Sequence, residues 1–329
     1  MPTPPAEVPE NRTADEYNVL ALLYGAMGKP RLALQASQRA AALAPPPEFT
    51  EALAGLPAEE AQEAAAAGME IASQMMNLLL GPSEPSAEPE KQADELLVLM
   101  QQLRDLAVKT GAKEEELFKF DEGVNGLMDA LSKTPETPPR TVPENLSAQE
   151  YYELGVRYKT SGWTEQSRDA LQYAMELDPD GETGKLALSF MRSKLPRHPV
   201  PLSAEQANIQ GFNLMVSGDL DGAIAIFEQI IKEHADFEWP QGNLGSIYIE
   251  QGKLAEAERI LVNAVQLNPF YLNAWSHLCR ANLLQSKYTQ ARYCVEQIRK
   301  IDPTDAHADQ LQHQIDTIEQ WEKSGGSFA

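Results

Sequence analysis

A fixed interval of 34 residues governs the C-terminal third of this sequence. Gly211, Gly245 and Cys279 stand 34 apart, and so do Gly218, Gly252 and Ser286. Ala223, Ala257 and Ala291 keep the same step, as do Phe227, Leu261 and Val295 and the unit ends Ala235, Pro269 and Pro303. Five positions in phase define a repeated unit, and a repeat of this length limits the fold to stacked supersecondary units. The spacing predicts a pair of helices per unit. A small residue in the first helix lets the second approach closely. A glycine then ends the first helix in a left-handed turn. Proline closes the unit because it cannot continue a helix. One pair cannot bury its own apolar face, so neighbours must stack.

These positions resemble the tetratricopeptide-repeat family. The resemblance covers units 204–237, 238–271 and 272–305, with Trp275 in the aromatic place of the last. A further unit at 148–181 carries Tyr151, Leu154, Gly155, Tyr158, Gly162, Leu171, Ala174 and Pro179, with Ser167 where alanine is usual. Another at 14–47 carries Tyr17, Leu20, Ala21, Tyr24, Gly28, Ala33, Ala40 and Pro45. Residues 306–322 place Ala308, Leu311, Ile315, Ile318 and Trp321 at helical spacing, as a capping helix would. The expected fold is therefore all-α, a helix-turn-helix repeat solenoid wound as a right-handed superhelix, with additional N-terminal helices.

Composition agrees with helices and narrows the function. Ala, Leu, Glu and Gln dominate. The formal net charge is −22, shared about evenly between residues 1–140 and the rest. That lacks the basic footprint of a nucleic-acid binder. No apolar run is long enough for a membrane span. Two cysteines, Cys279 and Cys294, are no disulfide framework and suit a reducing compartment. The Pro- and Glu-rich start, residues 1–13, reads as a disordered tail rather than a signal peptide. The expected location is the cytoplasm.

Residues 14–134 form an N-terminal region in which 48–134 does not fit the period. Helices are expected over about 57–80, 92–109 and 113–132, the last two with stripes Leu96, Leu99, Leu103, Leu106 and Leu117, Phe120, Val124, Leu127. Gly81 to Glu90 and the proline-rich stretch 135–147 read as linkers, the second as the main domain boundary before a repeat domain at 148–323. Residues 182–203 interrupt the repeats with one short helix, read equally as a shield for the preceding unit or as a hinge.

No catalytic signature stands out. Gly181-Glu182-Thr183-Gly184-Lys185 misses the phosphate-loop spacing and reads as a turn. Asp219-Leu220-Asp221-Gly222 lacks the later calcium ligands, and Asp219 reads as a helix N-cap. Cys279 and Cys294 fall at packing positions, and His277 faces away from Cys279, so neither metal nor cofactor is expected.

In the family the first helices line a concave face, and the resemblance implies a partner-binding groove there. Carried over place by place, its residues are Tyr152, Ile209, Phe212, Met215, Trp239, Asn243, Ser246, His277 and Arg280. The Lys and Arg places that some relatives use to clasp the acidic tails of heat-shock chaperones hold Asn208, Asn273 and His277, which argues against that ligand. The expected function is a non-catalytic scaffold or adaptor holding a protein or peptide segment, in the manner of an assembly chaperone. The alternative is a regulatory or structural subunit of a larger enzyme or secretion complex that docks through the N-terminal helices. A competing occupant of the groove is a helix of the chain itself, drawn from about 91–133.

Overall fold

A computed structural model describes residues 4–44, 89–132, 137–303 and 305–327, with scattered positions between 57 and 75. Fourteen helices and no strand occur among the described residues. The helix expected over 57–80 lies largely outside them.

The chain opens with a hairpin of α1 (Ala14–Ala26) and α2 (Pro30–Leu43). Thr13 and Glu16 form a reciprocal capping box at its start, which satisfies two amides that a helix end leaves free. A second hairpin pairs α3 (Pro89–Lys109) with α4 (Glu114–Ser132). Arg104 grips Asp121 there through two hydrogen bonds of 2.6 and 2.8 Å. The array then runs through α5 (Ala148–Thr160), α6 (Thr164–Leu177), α7 (Glu182–Lys194), α8 (Leu202–Ser217) and α9 (Leu220–Glu233). It continues with α10 (Glu238–Glu250), α11 (Leu254–Leu267), α12 (Leu272–Leu284), α13 (Tyr288–Ile301) and α14 (Ala306–Lys323).

The 34-residue period has a steric cause. A Cβ on Gly211 would meet the Phe227 ring at 2.6 Å, one on Gly245 would meet Leu261 at 2.5 Å, and one on Gly155 would meet Leu171 at 2.7 Å. Each small residue of a first helix is thus the seat of the large apolar residue of the second. Gly162, Gly218 and Gly252 turn with positive φ, and Ser286 takes the same left-handed place without glycine's freedom.

Residues 4–13, expected as a disordered tail, instead form a strap. Val8 is buried, Tyr17 donates to the Pro9 carbonyl at 3.0 Å, and Tyr24 donates to the Pro5 carbonyl at 2.9 Å. Composition misled here because prolines with apolar and tyrosine partners can lie fixed along a helix pair. Residues 137–147, expected as a linker, do the same before α5: Tyr151 donates to the Pro143 carbonyl at 3.0 Å, and Val142 and Leu146 join the core of α5–α7.

The interruption at 182–203 is a half unit. Helix α7 packs on α6 as the first helix of a unit would, but no second helix follows it. The chain crosses directly to α8, pinned by buried Leu195 and Val200 and by Arg197, whose amide donates to Glu238 at 2.9 Å and whose guanidinium donates to the Leu267 carbonyl at 2.9 Å. Of the two readings, a shield over α5–α6 describes α7.

Candidate partner-binding face

The first helices bring the expected groove residues into three different settings. At the C-terminal end the face is closed. Val19, Leu23 and Ala26 of α1 join one core with Ile249, Trp275, Leu278 and Leu283, so α1 lies on α12 and α14. Arg280 donates through Nε to the Ala26 carbonyl at 2.7 Å, which ties it to the C-terminal turn of α1, and its Nη1 lies 3.2 Å from Nδ1 of His277. Burial, then the charge of Arg280, then His307, push the His277 imidazole down to about pKa 3. His277 and Arg280 are therefore not open anchors for a partner. They line a polar recess of about 220 Å³ with Gly25, Asn273, His307 and Gln314. At this end the chain fills its own groove, and the occupant is α1.

At the N-terminal end Tyr152 is covered by α7, its ring edge-on to Phe190 at 6.2 Å. In the middle, Asn243 donates to Asn208 at 3.1 Å, and both side chains are spent on joining α10 to α8. Lys159 reaches from α5 over the Trp239 ring at 4.2 Å, a cation–π contact, and burial holds its ammonium below the usual lysine pKa. Met215 and Trp239 are partly buried in the α8–α10 core, and Ser246 is half-buried beside them. Ile209 and Phe212 alone of the nine remain substantially open, at 51% and 45% exposure.

Sequence reasoning missed two things. One is the seat of α1, whose signal was the apolar set Val19, Leu22, Leu23 and Ala26. The corresponding places of the 148 unit hold Glu153, Val156, Arg157 and Thr160. The other is a cleft of about 350 Å³ between the start of α6 and α8, lined by Arg140, Trp163, Val200, Leu202 and Glu205.

Cys279 and Cys294 are buried and free; burial raises both thiol pKa values, that of Cys294 to about 12, so neither is a thiolate at neutral pH. The stretch Gly181 to Lys185, read as a turn, holds the start of α7, where Asp178 accepts from the Thr183 and Gly184 amides at 3.1 and 3.4 Å. Asp219 accepts from the Gly222 amide at 2.9 Å as an N-cap. Among the described residues no group of three His, Cys, Asp or Glu could hold a metal ion, and no helix is long and apolar enough to cross a membrane.

The sequence pattern of the tetratricopeptide repeat matches residues 214–263 and 249–315. Residues 214–315 are tetratricopeptide repeats. The chain is similar in sequence to human general transcription factor 3C polypeptide 3, at 30% identity over 133 residues. That stretch is 40% of this chain and 14% of the relative's length. Solved structures similar to the chain include the TPR2AB-domain:pHSP90 complex of yeast Sti1 (14% identity, 93% of this chain and 97% of that one, TM-score 0.32). They also include the P58(IPK) TPR domain (15%, 95% and 80%, TM-score 0.33) and yeast Tom70 (14%, 98% and 67%, TM-score 0.34).

Proposed function

We propose that this tetratricopeptide-repeat protein is a non-catalytic scaffold that holds an apolar segment of a partner protein on the α8–α10 part of its first-helix face. The supporting observation is the contrast along that face. Its ends are covered by α1 and α7, its polar anchors are spent internally, and Ile209 and Phe212 are left half-exposed beside Trp239. Large apolar side chains left open at the centre of a binding helix are where interface energy concentrates. Assembly chaperoning, by shielding such a segment until its final partner arrives, fits this geometry. Two buried free thiols fit a reducing compartment such as the cytoplasm.

The test compares immobilised wild-type protein with Phe212→Ala and Trp239→Ala, reading the retained proteins by mass spectrometry and the strongest by calorimetry. Truncating an aromatic anchor should weaken binding by about 2 kcal/mol, roughly thirtyfold. Equal retention by all three would sink the assignment.

The subunit alternative draws support from a separate observation. Val98, Val108 and Phe118 of the α3–α4 hairpin are each at least half exposed. Loss of the partner on Phe118→Asp, with Phe212→Ala neutral, would favour it.

A further inference from the structure

Among the described residues, two surfaces rich in apolar side chains lie open, and their shapes match. The first is a ridge on α8. Leu202, Ile209 and Val216 recur at seven-residue steps and are 60%, 51% and 63% exposed, with Phe212 between them. That spacing is the seam of helix-on-helix packing. It is open because the half unit at α7 leaves α8 without the second helix that α9 gives α10 and α11 gives α12. The second is a hollow. Between α3 and α4 lies an open cleft of about 310 Å³, with Leu97, Val98, Met100, Phe120 and Val124 as its apolar lining and Gln101 and the Arg104–Asp121 pair as its polar part. A pair of helices leaves such a hollow when a third is missing.

The observations also say which occupant fits the ridge. Ser132 ends α4, and Arg140 already lines the cleft beside Leu202. The eight steps between them span at most about 26–29 Å, so the hairpin is tethered within reach of α8. Charge permits the contact. Helix α4 carries six carboxylates against one lysine, while the only charged residue of α8 is Glu205, which is buried. Most of an acidic surface would repel that hairpin; α8 does not. Area favours a tethered occupant over a second copy. Four half-exposed side chains offer roughly 400 Å², about half of what each partner of a stable complex contributes. A short tether supplies the missing affinity through millimolar effective concentration.

We propose that the α3–α4 hairpin seats on the α8 ridge, with Leu202, Ile209 and Val216 entering its hollow, and so acts as the chain's own removable cover for the partner face. The role as a cover rests on the reading of Ile209 and Phe212 as partner anchors; the seating itself does not, and the experiment tests the seating.

The full chain carrying Val98→Cys and Ile209→Cys is oxidised at low concentration, beside a control pairing Val98→Cys with Tyr293→Cys on the exposed face of α13. Expected is a disulfide within a single chain in most molecules of the first pair, and at least tenfold less in the control. Hydrogen exchange of the otherwise native full chain gives the second reading: Ile209→Asp should speed exchange in α3–α4 at least tenfold while α10–α13 stay unchanged. Equal cross-linking in both pairs overturns the proposal. So does a disulfide found only between chains, which would assign the ridge to a second copy. If the hairpin cross-links but Phe212→Ala retains every captured protein, the seating stands and the partner assignment falls.

Discussion

His277 shows how one side chain reports on a distant contact. In the unfolded chain its imidazole takes up a proton near pH 6.5. In the folded chain burial, followed by Arg280 and His307, delays this to about pH 3. A base whose pKa falls on folding contributes stability above its unfolded value and loses it as pH drops toward the folded one. The contact of α1 with α12 and α14 should therefore weaken from about pH 6.5 downward, by at most roughly 1.4 kcal/mol per pH unit. Melting temperature measured from pH 7 to pH 5 should fall more steeply in the wild type than in His277→Gln; parallel curves would contradict the assignment. Two glycines separate conformation from space at the same scale. Gly252 has φ +72° and nothing near its missing Cβ, so Gly252→Ala should cost about 1 kcal/mol through the backbone alone. Gly245→Ala adds a Cβ that would stand 2.5 Å from Leu261, and should cost about 1–3 kcal/mol by overpacking. Urea titration of each variant measures both.

Helix by helix, the parts that were legible in the sequence are those whose partners lie within one or two units. Gly211 needs Phe227, and Gly245 needs Leu261; such pairs must recur in phase, and the phase is visible. The docking of α1 has no phase, because its partner Arg280 lies 254 residues away. What did stand in the sequence was a local duplication. Val8-Pro9-Glu10-Asn11 recurs as Val142-Pro143-Glu144-Asn145, each ahead of a capping box and a tyrosine. In both straps the asparagine takes positive φ, 58° and 63°, and the tyrosine hydroxyl donates to the proline carbonyl. Asparagine tolerates that conformation better than most residues do. Reading both straps as loose chain was the consequence of weighing composition without this pairing. The two units differ at the docking places, which gives a paired test. Leu23→Ala, fully buried, should cost about 2–5 kcal/mol. Arg157→Ala, the exposed counterpart in α5, should stay within about 0.5 kcal/mol. Thermal or chemical melts of the two variants decide it. For the groove, the family pattern names nine residues, but exposure depends on what else packs there: α1 covers His277 and Arg280, α7 covers Tyr152, and Asn243, Met215 and Trp239 are taken up between α8 and α10.

Over the whole molecule, charge and topology set behaviour that no single contact explains. A chain of net charge −22 repels itself in the compact state, and the acids are spread along its length. Raising sodium chloride from 20 to 200 mM should therefore raise the melting temperature, because screening relieves repulsion more than it weakens the few exposed ion pairs. A falling melting temperature would show that ion pairs such as Arg292 with Asp316 and Glu319 dominate instead.

The bond from Arg280 to the Ala26 carbonyl turns an open row of helices into a closed circuit. On the ribosome, the first hairpin emerges and folds while its seat does not yet exist. With 254 residues still to be joined at about 5–20 per second, Val19, Leu23 and Ala26 face water for roughly 13–50 s. Each newborn molecule thus passes through an interval in which α1 is greasy and unclaimed, and the arrival of α12 and α14 is what ends it.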